Sequence, residues 1–141
     1  SSWNVLIKGV DIDENVLKAG KSAVYDTRSV KDVPPAYLEQ YFTLPRAGHY
    51  MVKPAIKDMV ILEHLNLMDR RALRSERNYD FIFCRNMLIY FDDQSRKQLV
   101  EKFYAMLNPG GFIFLGHAES LSRISTSFKV RRMNGYMVYQ A

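Results

Sequence analysis

Arg85 and Asn86 stand where an apolar run, Tyr79-Asp80-Phe81-Ile82-Phe83-Cys84, gives out. Polar groups delivered at the carboxyl tip of a buried strand are how open α/β sheets build ligand sites; a strand-end pair satisfying loop carbonyls is the plain alternative. Tyr90 follows in an apolar segment, where it is either core or a hydroxyl that positions a small reacting group near the strand tips. Asp11 ends another apolar run and precedes a helix. A carboxylate there accepts both hydroxyls of a ribose, or is a helix cap or a solvated turn. Asn66-Leu67 closes a third apolar stretch. An amide beside an apolar side chain suits an adenine, which needs hydrogen bonds at its edge and apolar contact on its face; a loop asparagine is the plain alternative. His117 and Glu119 share the tip of a later strand, as an acid/base pair, as ligand contacts or as structure. Cys84, in mid-strand, is expected to be inert. With three His and one Cys, none in ligand spacing, no metal site is expected. No Ser-His-Asp order, P-loop or nucleophile elbow occurs.

Strands and helices must hold these residues in place. Trp3 to Val10 reads as a mostly apolar strand, and Asp13 as the cap of a helix over Glu14 to Lys21 with Val16 and Leu17 inward. Pro34-Pro35 opens a short helix through Phe42. Pro45 and Gly48 then break the chain, and Tyr50–Lys53 and Met59–Leu65 are β-rich. Asp69 to Glu76 reads as a polar surface helix or loop. Tyr79 to Arg85 is a strand whose near-continuous apolar run predicts burial on both faces, as in a parallel sheet. Asp92-Asp93-Gln94-Ser95 starts a helix whose apolar face is Leu99, Val100, Phe103, Met106 and Leu107. Asn108-Pro109-Gly110-Gly111 ends it, and Phe112 to Leu115 is the next strand. Phe128–Arg132 and Tyr136–Gln140 flank Asn134-Gly135, a hairpin turn signal. The pattern predicts α/β architecture, with a mostly parallel sheet that ends in an antiparallel hairpin.

At 141 residues and 48% apolar, the chain suits one domain with a sizeable core. No apolar run approaches a membrane span, so no direct membrane insertion is expected. The single cysteine suits a reducing, cytoplasmic compartment. A net charge of +5 suits an acidic partner, whether nucleic acid, lipid or a glutamate-rich protein surface, or else is the charge of a moderately basic protein with no meaning for its partners. Arg70, Arg71, Arg74 and Arg77 form a basic run that is either a solvated face or a contact with such a partner.

Several segments occur together in a telling order: Gly9-Val10-Asp11-Ile12-Asp13, Asn66-Leu67, Phe81-Ile82-Phe83-Cys84-Arg85-Asn86-Met87-Leu88-Ile89-Tyr90-Phe91-Asp92, Leu107-Asn108-Pro109-Gly110-Gly111 and Gly116-His117-Ala118-Glu119-Ser120. In this order and spacing the chain resembles the CheR-type chemoreceptor glutamate methyltransferases, from Gly9 to its end. The resemblance implies a class I methyltransferase (Rossmann-like) fold and S-adenosylmethionine as methyl donor, with S-adenosylhomocysteine as product. It also implies methylation of receptor glutamates to γ-methyl esters in bacterial chemotaxis. Carried over by position, Asp11 would hold the ribose, Asn66 and Leu67 would meet the adenine, and Arg85 and Asn86 would lie along the cofactor. Tyr90 would face the transferring methyl group as the catalytic residue. Residues from about 42 to 63 would form the family's small inserted antiparallel β-subdomain, used to dock receptors.

The same resemblance implies that the whole chain, 1–141, is the C-terminal portion of the methyltransferase domain. The family's first strand, its glycine loop and an N-terminal helical domain would come before Trp3, and the first two residues, Ser1-Ser2, read as a scar rather than a native start. The expected partner is the cytoplasmic helices of a methyl-accepting receptor, with self-association through an exposed sheet edge. A non-catalytic receptor-binding module of the same fold is the alternative. A nucleic-acid methyltransferase is disfavoured and no nucleic acid is expected. Enzymes of that kind that methylate exocyclic amines commonly carry an Asn/Asp-Pro-Pro-Tyr/Phe motif, and this strand tip reads Arg85-Asn86-Met87-Leu88.

Overall fold

Residues 3–69, 71–116, 119–121 and 124–141 are described by a computed structural model. Ser1-Ser2, Arg70 and His117, singled out above, lie outside the described residues. The chain divides into two compact units, Ser1–Asn66 and Leu67–Ala141.

In the first unit β1 (Ile7–Asp11) leads into α1 (Glu14–Ser22). The strand starts later than the apolar run at Trp3 suggested. Asp13 caps α1 as expected: its Oδ1 accepts from the Asn15 N–H (2.8 Å) and the Val16 N–H (3.4 Å). Leu17 is buried, but Val16 is 53% exposed, so only half of the inward pair points in. Next come β2 (Val24–Asp26), α2 (Pro35–Tyr41), β3 (Phe42–Arg46), β4 (His49–Val52), α3 (Pro54–Lys57) and β5 (Val60–His64). β5 returns parallel to β1, with Ile7 opposite Val60 and Asp11 opposite His64.

Leu62 explains two glycines in this unit. A Cβ on Gly9 would lie 2.6 Å from Leu62 Cδ2, and one on Gly20 would lie 2.8 Å from Leu62 Cδ1. The leucine therefore occupies space that any larger residue in β1 or α1 would fill.

Strands β2, β4 and β3 form a separate antiparallel sheet in that order. The β-rich insert expected at 42–63 thus has different limits. This sheet recruits Val24–Asp26 and ends at Val52, while β5 belongs to the parallel pair. Pro45 does not break the chain but sits within β3, where the pairing shifts register between Thr43 and Arg46. β3 is an edge strand, which tolerates the missing N–H. Lys53 Nζ donates to the Glu39 and Gln40 carbonyls (3.1 and 2.8 Å), satisfying the carboxyl end of α2.

The second unit holds most of the buried side chains. Residues 71–75 form turns, the loop alternative of the polar stretch. β6 (Tyr79–Cys84), α4 (Asp93–Met106), β7 (Leu107–Leu115), β8 (Lys129–Met133) and β9 (Tyr136–Gln140) follow. The sheet order is β6-β7-β9-β8, with β6 and β7 parallel and the last two strands an antiparallel hairpin. Its turn has Asn134 and Gly135 at φ 49° and 86°, the left-handed pair a tight hairpin requires.

Helix α4 packs against β7, and its Leu99, Val100, Phe103 and Met106 are buried, as is Ile113 of β7. Asp92 caps it by accepting the Ser95 N–H (2.7 Å). The Asn-Pro-Gly-Gly segment does end α4, but it already belongs to β7 as an irregularity. Pairing jumps from Tyr79–Leu107 to Phe81–Phe112, and Asn108 Nδ2 donates to Asp80 Oδ1 (2.9 Å) across the gap.

Burial of β6 on both faces is not found. Phe81 and Phe83 are 57% and 72% exposed, stacked along Phe112 and Phe114, with Phe83 and Phe114 centroids 4.8 Å apart. Among the described residues β6 pairs only with β7, and β1 only with β5. No helix among them is long and apolar enough to cross a membrane.

Candidate functional site

In each unit, residues singled out from the sequence stand at the carboxyl end of a parallel strand. In the first unit Asp11 is the last residue of β1, and its Oδ1 accepts the Asp13 N–H (2.9 Å), which fixes the carboxylate. The adjoining turn is held from β5. His64 Nε2–H donates to the Ile12 carbonyl (3.0 Å), and the Leu65 N–H donates to the Asp11 carbonyl (3.0 Å). That second bond brings the segment ending in Asn66 beside the Asp11 turn. Asn66 is exposed. Asp13 takes the cap, so the helix-cap reading of Asp11 falls away, while its turn and ribose readings both fit this geometry.

In the second unit Leu67 is half-buried, while Arg85 and Asn86 follow directly on the last residue of β6 and are exposed. Asn86 is left-handed at φ 57°, a conformation asparagine adopts more readily than most residues. The chain then makes a 3₁₀ turn over Leu88–Tyr90. Leu88 is only 1% exposed and anchors the turn, whereas Tyr90 is 80% exposed. Tyr90 is therefore not core, which leaves its phenol at the surface of the β6 tip. At the far end of the loop, Arg96 Nε and Nη2 both donate to the Phe91 carbonyl (3.0 and 2.9 Å), tying it to α4.

Glu119 serves neither of the chemical uses its position suggested. Its carboxylate accepts backbone N–H groups from Asn86, Met87, Leu88 and Gly116. Burial first, and then the charge of Glu119, push the Cys84 thiol up to about 12, so it stays a neutral packing group. The sequence signal for this arrangement was available but ambiguous: a glutamate three residues after a glycine at a strand tip.

The family model for CheR methyltransferase, SAM binding domain, matches residues 1–137. The chain belongs to this family. S-adenosylmethionine, expected from the sequence, is the ligand in the family's own description. Chemotaxis protein methyltransferase 2 of Vibrio cholerae is 46% identical over 86% of this chain and 42% of its own length. Chemotaxis protein methyltransferase 1 of Pseudomonas aeruginosa is 33% identical over 97% of this chain and 50% of its own. The Escherichia coli chemotaxis protein methyltransferase is 32% identical over 95% and 47%. The chain thus spans about half the length of the curated relatives it matches.

The donor set suits the cofactor. A fixed carboxylate at a strand tip matches a ribose diol, and an exposed amide followed by a half-buried leucine matches an adenine.

Proposed function

We propose that this chain is the C-terminal, cofactor-holding portion of a methyltransferase domain. The whole enzyme transfers a methyl group from S-adenosylmethionine to glutamate side chains of chemoreceptors and leaves γ-methyl esters. The observation that carries the reading is that Asp11, Asn66, Arg85, Asn86 and Tyr90 all stand at or just beyond the carboxyl ends of β1, β5 and β6. The carboxyl ends of parallel strands are where ligands bind in such sheets.

Asp11 holds the ribose hydroxyls, and Asn66 and Leu67 receive the adenine. Arg85 and Asn86 lie along the rest of the cofactor. When bound, S-adenosylmethionine supplies an electrophilic methyl group on a sulfonium. A receptor glutamate carboxylate would be the acceptor of that methyl group, with S-adenosylhomocysteine as the other product. Tyr90 orients the reacting centre from the exposed tip of the 3₁₀ turn. The remaining help is proximity, which for well-oriented partners is worth about 7–11 kcal/mol.

The family's first strand, glycine loop and helical domain precede this portion and complete the site. The antiparallel sheet β2-β4-β3 docks the receptor, and the edge strand β3 with its exposed Leu44 offers a face for it. The net charge of +5 suits an acidic receptor surface. The setting is the cytoplasm, where receptor signalling helices lie.

Calorimetry of the full-length gene product with S-adenosylhomocysteine tests the reading. One saturable site is expected, and absence of heat removes it. Binding without methyl transfer to receptor favours the non-catalytic module instead.

A further inference from the structure

We propose that Glu119 is a positioning residue: its carboxylate latches the Arg85–Tyr90 loop at the tip of β6 in the form that receives the cofactor. The latch is read from geometry, and its consequence for the cofactor rests on the function proposed above.

The loop needs an acceptor. Asn86 is left-handed at φ 57°, and Met87 returns to the right-handed region at φ −113° and ψ −41°. Such an alternation makes successive N–H groups converge, the form of a backbone anion nest. The Met87 and Leu88 N–H groups also open a 3₁₀ turn, where no partner exists within the turn.

Glu119 supplies the anion from the same chain. Its Oε2 accepts the Asn86 and Gly116 N–H groups, both at 2.8 Å. Its Oε1 accepts those of Met87 (3.0 Å) and Leu88 (2.8 Å). Cys84 opposite Leu115 is the last rung of the β6–β7 ladder, and the carboxylate joins the two strands one step beyond it. With two N–H bonds on each oxygen, Glu119 acts as a structural acceptor.

Gly116 makes room for the latch. A Cβ there would collide with Asn86 Oδ1 and stand 2.8 Å from Glu119 Oε2 and 3.0 Å from the Asn86 nitrogen. The Asn86 side chain is thus held against the Gly116 backbone, and its direction depends on the same carboxylate. If Asn86 contacts the cofactor, its aim is set by a residue 33 positions later in the chain.

Glu119→Gln keeps the size of the side chain but exchanges one acceptor for a donor that faces N–H groups. The test uses the full-length gene product, with amide NMR and calorimetry against S-adenosylhomocysteine. In the natural protein the amide protons of Asn86, Met87, Leu88 and Gly116 are expected downfield and slow to exchange. In Glu119→Gln all four are expected to move upfield and exchange faster, and the dissociation constant to rise tenfold or more. Unchanged amides in Glu119→Gln overturn the latch. Moved amides with unchanged affinity overturn its link to the cofactor. If the natural protein binds no S-adenosylhomocysteine, the proposed function fails while the amides still decide the latch. Should Glu119→Gln fail to fold, Gly116→Ala, which keeps the carboxylate, is read in its place. It is expected to show the same amide shifts and weakened binding, and natural amides and affinity in that variant overturn the proposal.

Discussion

Asp11 and Asp13 are two residues apart, yet the local hydrogen bonds separate their work. Asp13 satisfies the first N–H groups of α1, while Asp11 has one oxygen fixed by the Asp13 N–H. Asp11→Asn preserves that bond through its amide oxygen and removes the charge. It is expected to weaken S-adenosylhomocysteine binding about tenfold or more, since hydrogen bonds to a charged acceptor are worth about 1.5–3 kcal/mol. Calorimetry reads the loss, and circular dichroism should show an unchanged helix. Tyr90 stands at the surface, so Tyr90→Phe should leave the melting temperature alone. Its expected effect is a fall in kcat of about ten- to a hundredfold, the scale of a mispositioned reacting group. The positions of Asp11, Asn66 and Arg85 at strand ends were legible because a polar residue closing an apolar run is conspicuous. The latch made by Glu119 was only half legible: Gly116 is three residues away, but its other three partners are backbone groups more than 30 residues away, and no spacing rule reveals those.

The elements legible in sequence were those specified by local chemistry. Asp13 and Asp92 cap the helices that follow them, the apolar face of α4 is the buried one, and Asn134-Gly135 turns the last hairpin. Pro45 was misread because an edge strand forgives proline. The Pro-Gly-Gly segment was misread because a strand can begin with an irregular rung. Two outcomes test the element that carries the site. Leu88→Ala removes the buried anchor of the 3₁₀ turn and is expected to cost about 2–5 kcal/mol, read by denaturant unfolding. The backbone N–H of Ser95, and then its hydroxyl, hold the Asp92 carboxyl below its ordinary value. A depressed carboxylate stabilises the fold above its ordinary pKa and loses that contribution as pH falls through the folded value. Melting temperature against pH should therefore show natural protein and Asp92→Asn converging on acidification. A gap that does not change with pH would contradict this.

At the scale of the molecule, the unmet expectation of burial around β6 is informative. Parallel strands are ordinarily covered on both faces, yet Phe81 and Phe83 lie open on a strand with a neighbour on one side only, and β1 is likewise paired on one side among the described residues. The apolar run correctly recorded what the strand needs, while the described residues provide cover for one face. The 141-residue chain is expected to self-associate through these edges. Sedimentation velocity should show a weight-average mass that rises with concentration, and Phe83→Lys should suppress the rise. The most direct measurement of the whole is methyl transfer. Full-length gene product, methyl-labelled S-adenosylmethionine and a chemoreceptor cytoplasmic fragment are incubated together, and the labelled receptor is treated with alkali. The expected result is label on receptor glutamates that alkali releases as volatile methanol, the mark of a γ-methyl ester. An unlabelled receptor, or label that resists alkali, would contradict a glutamate methyltransferase.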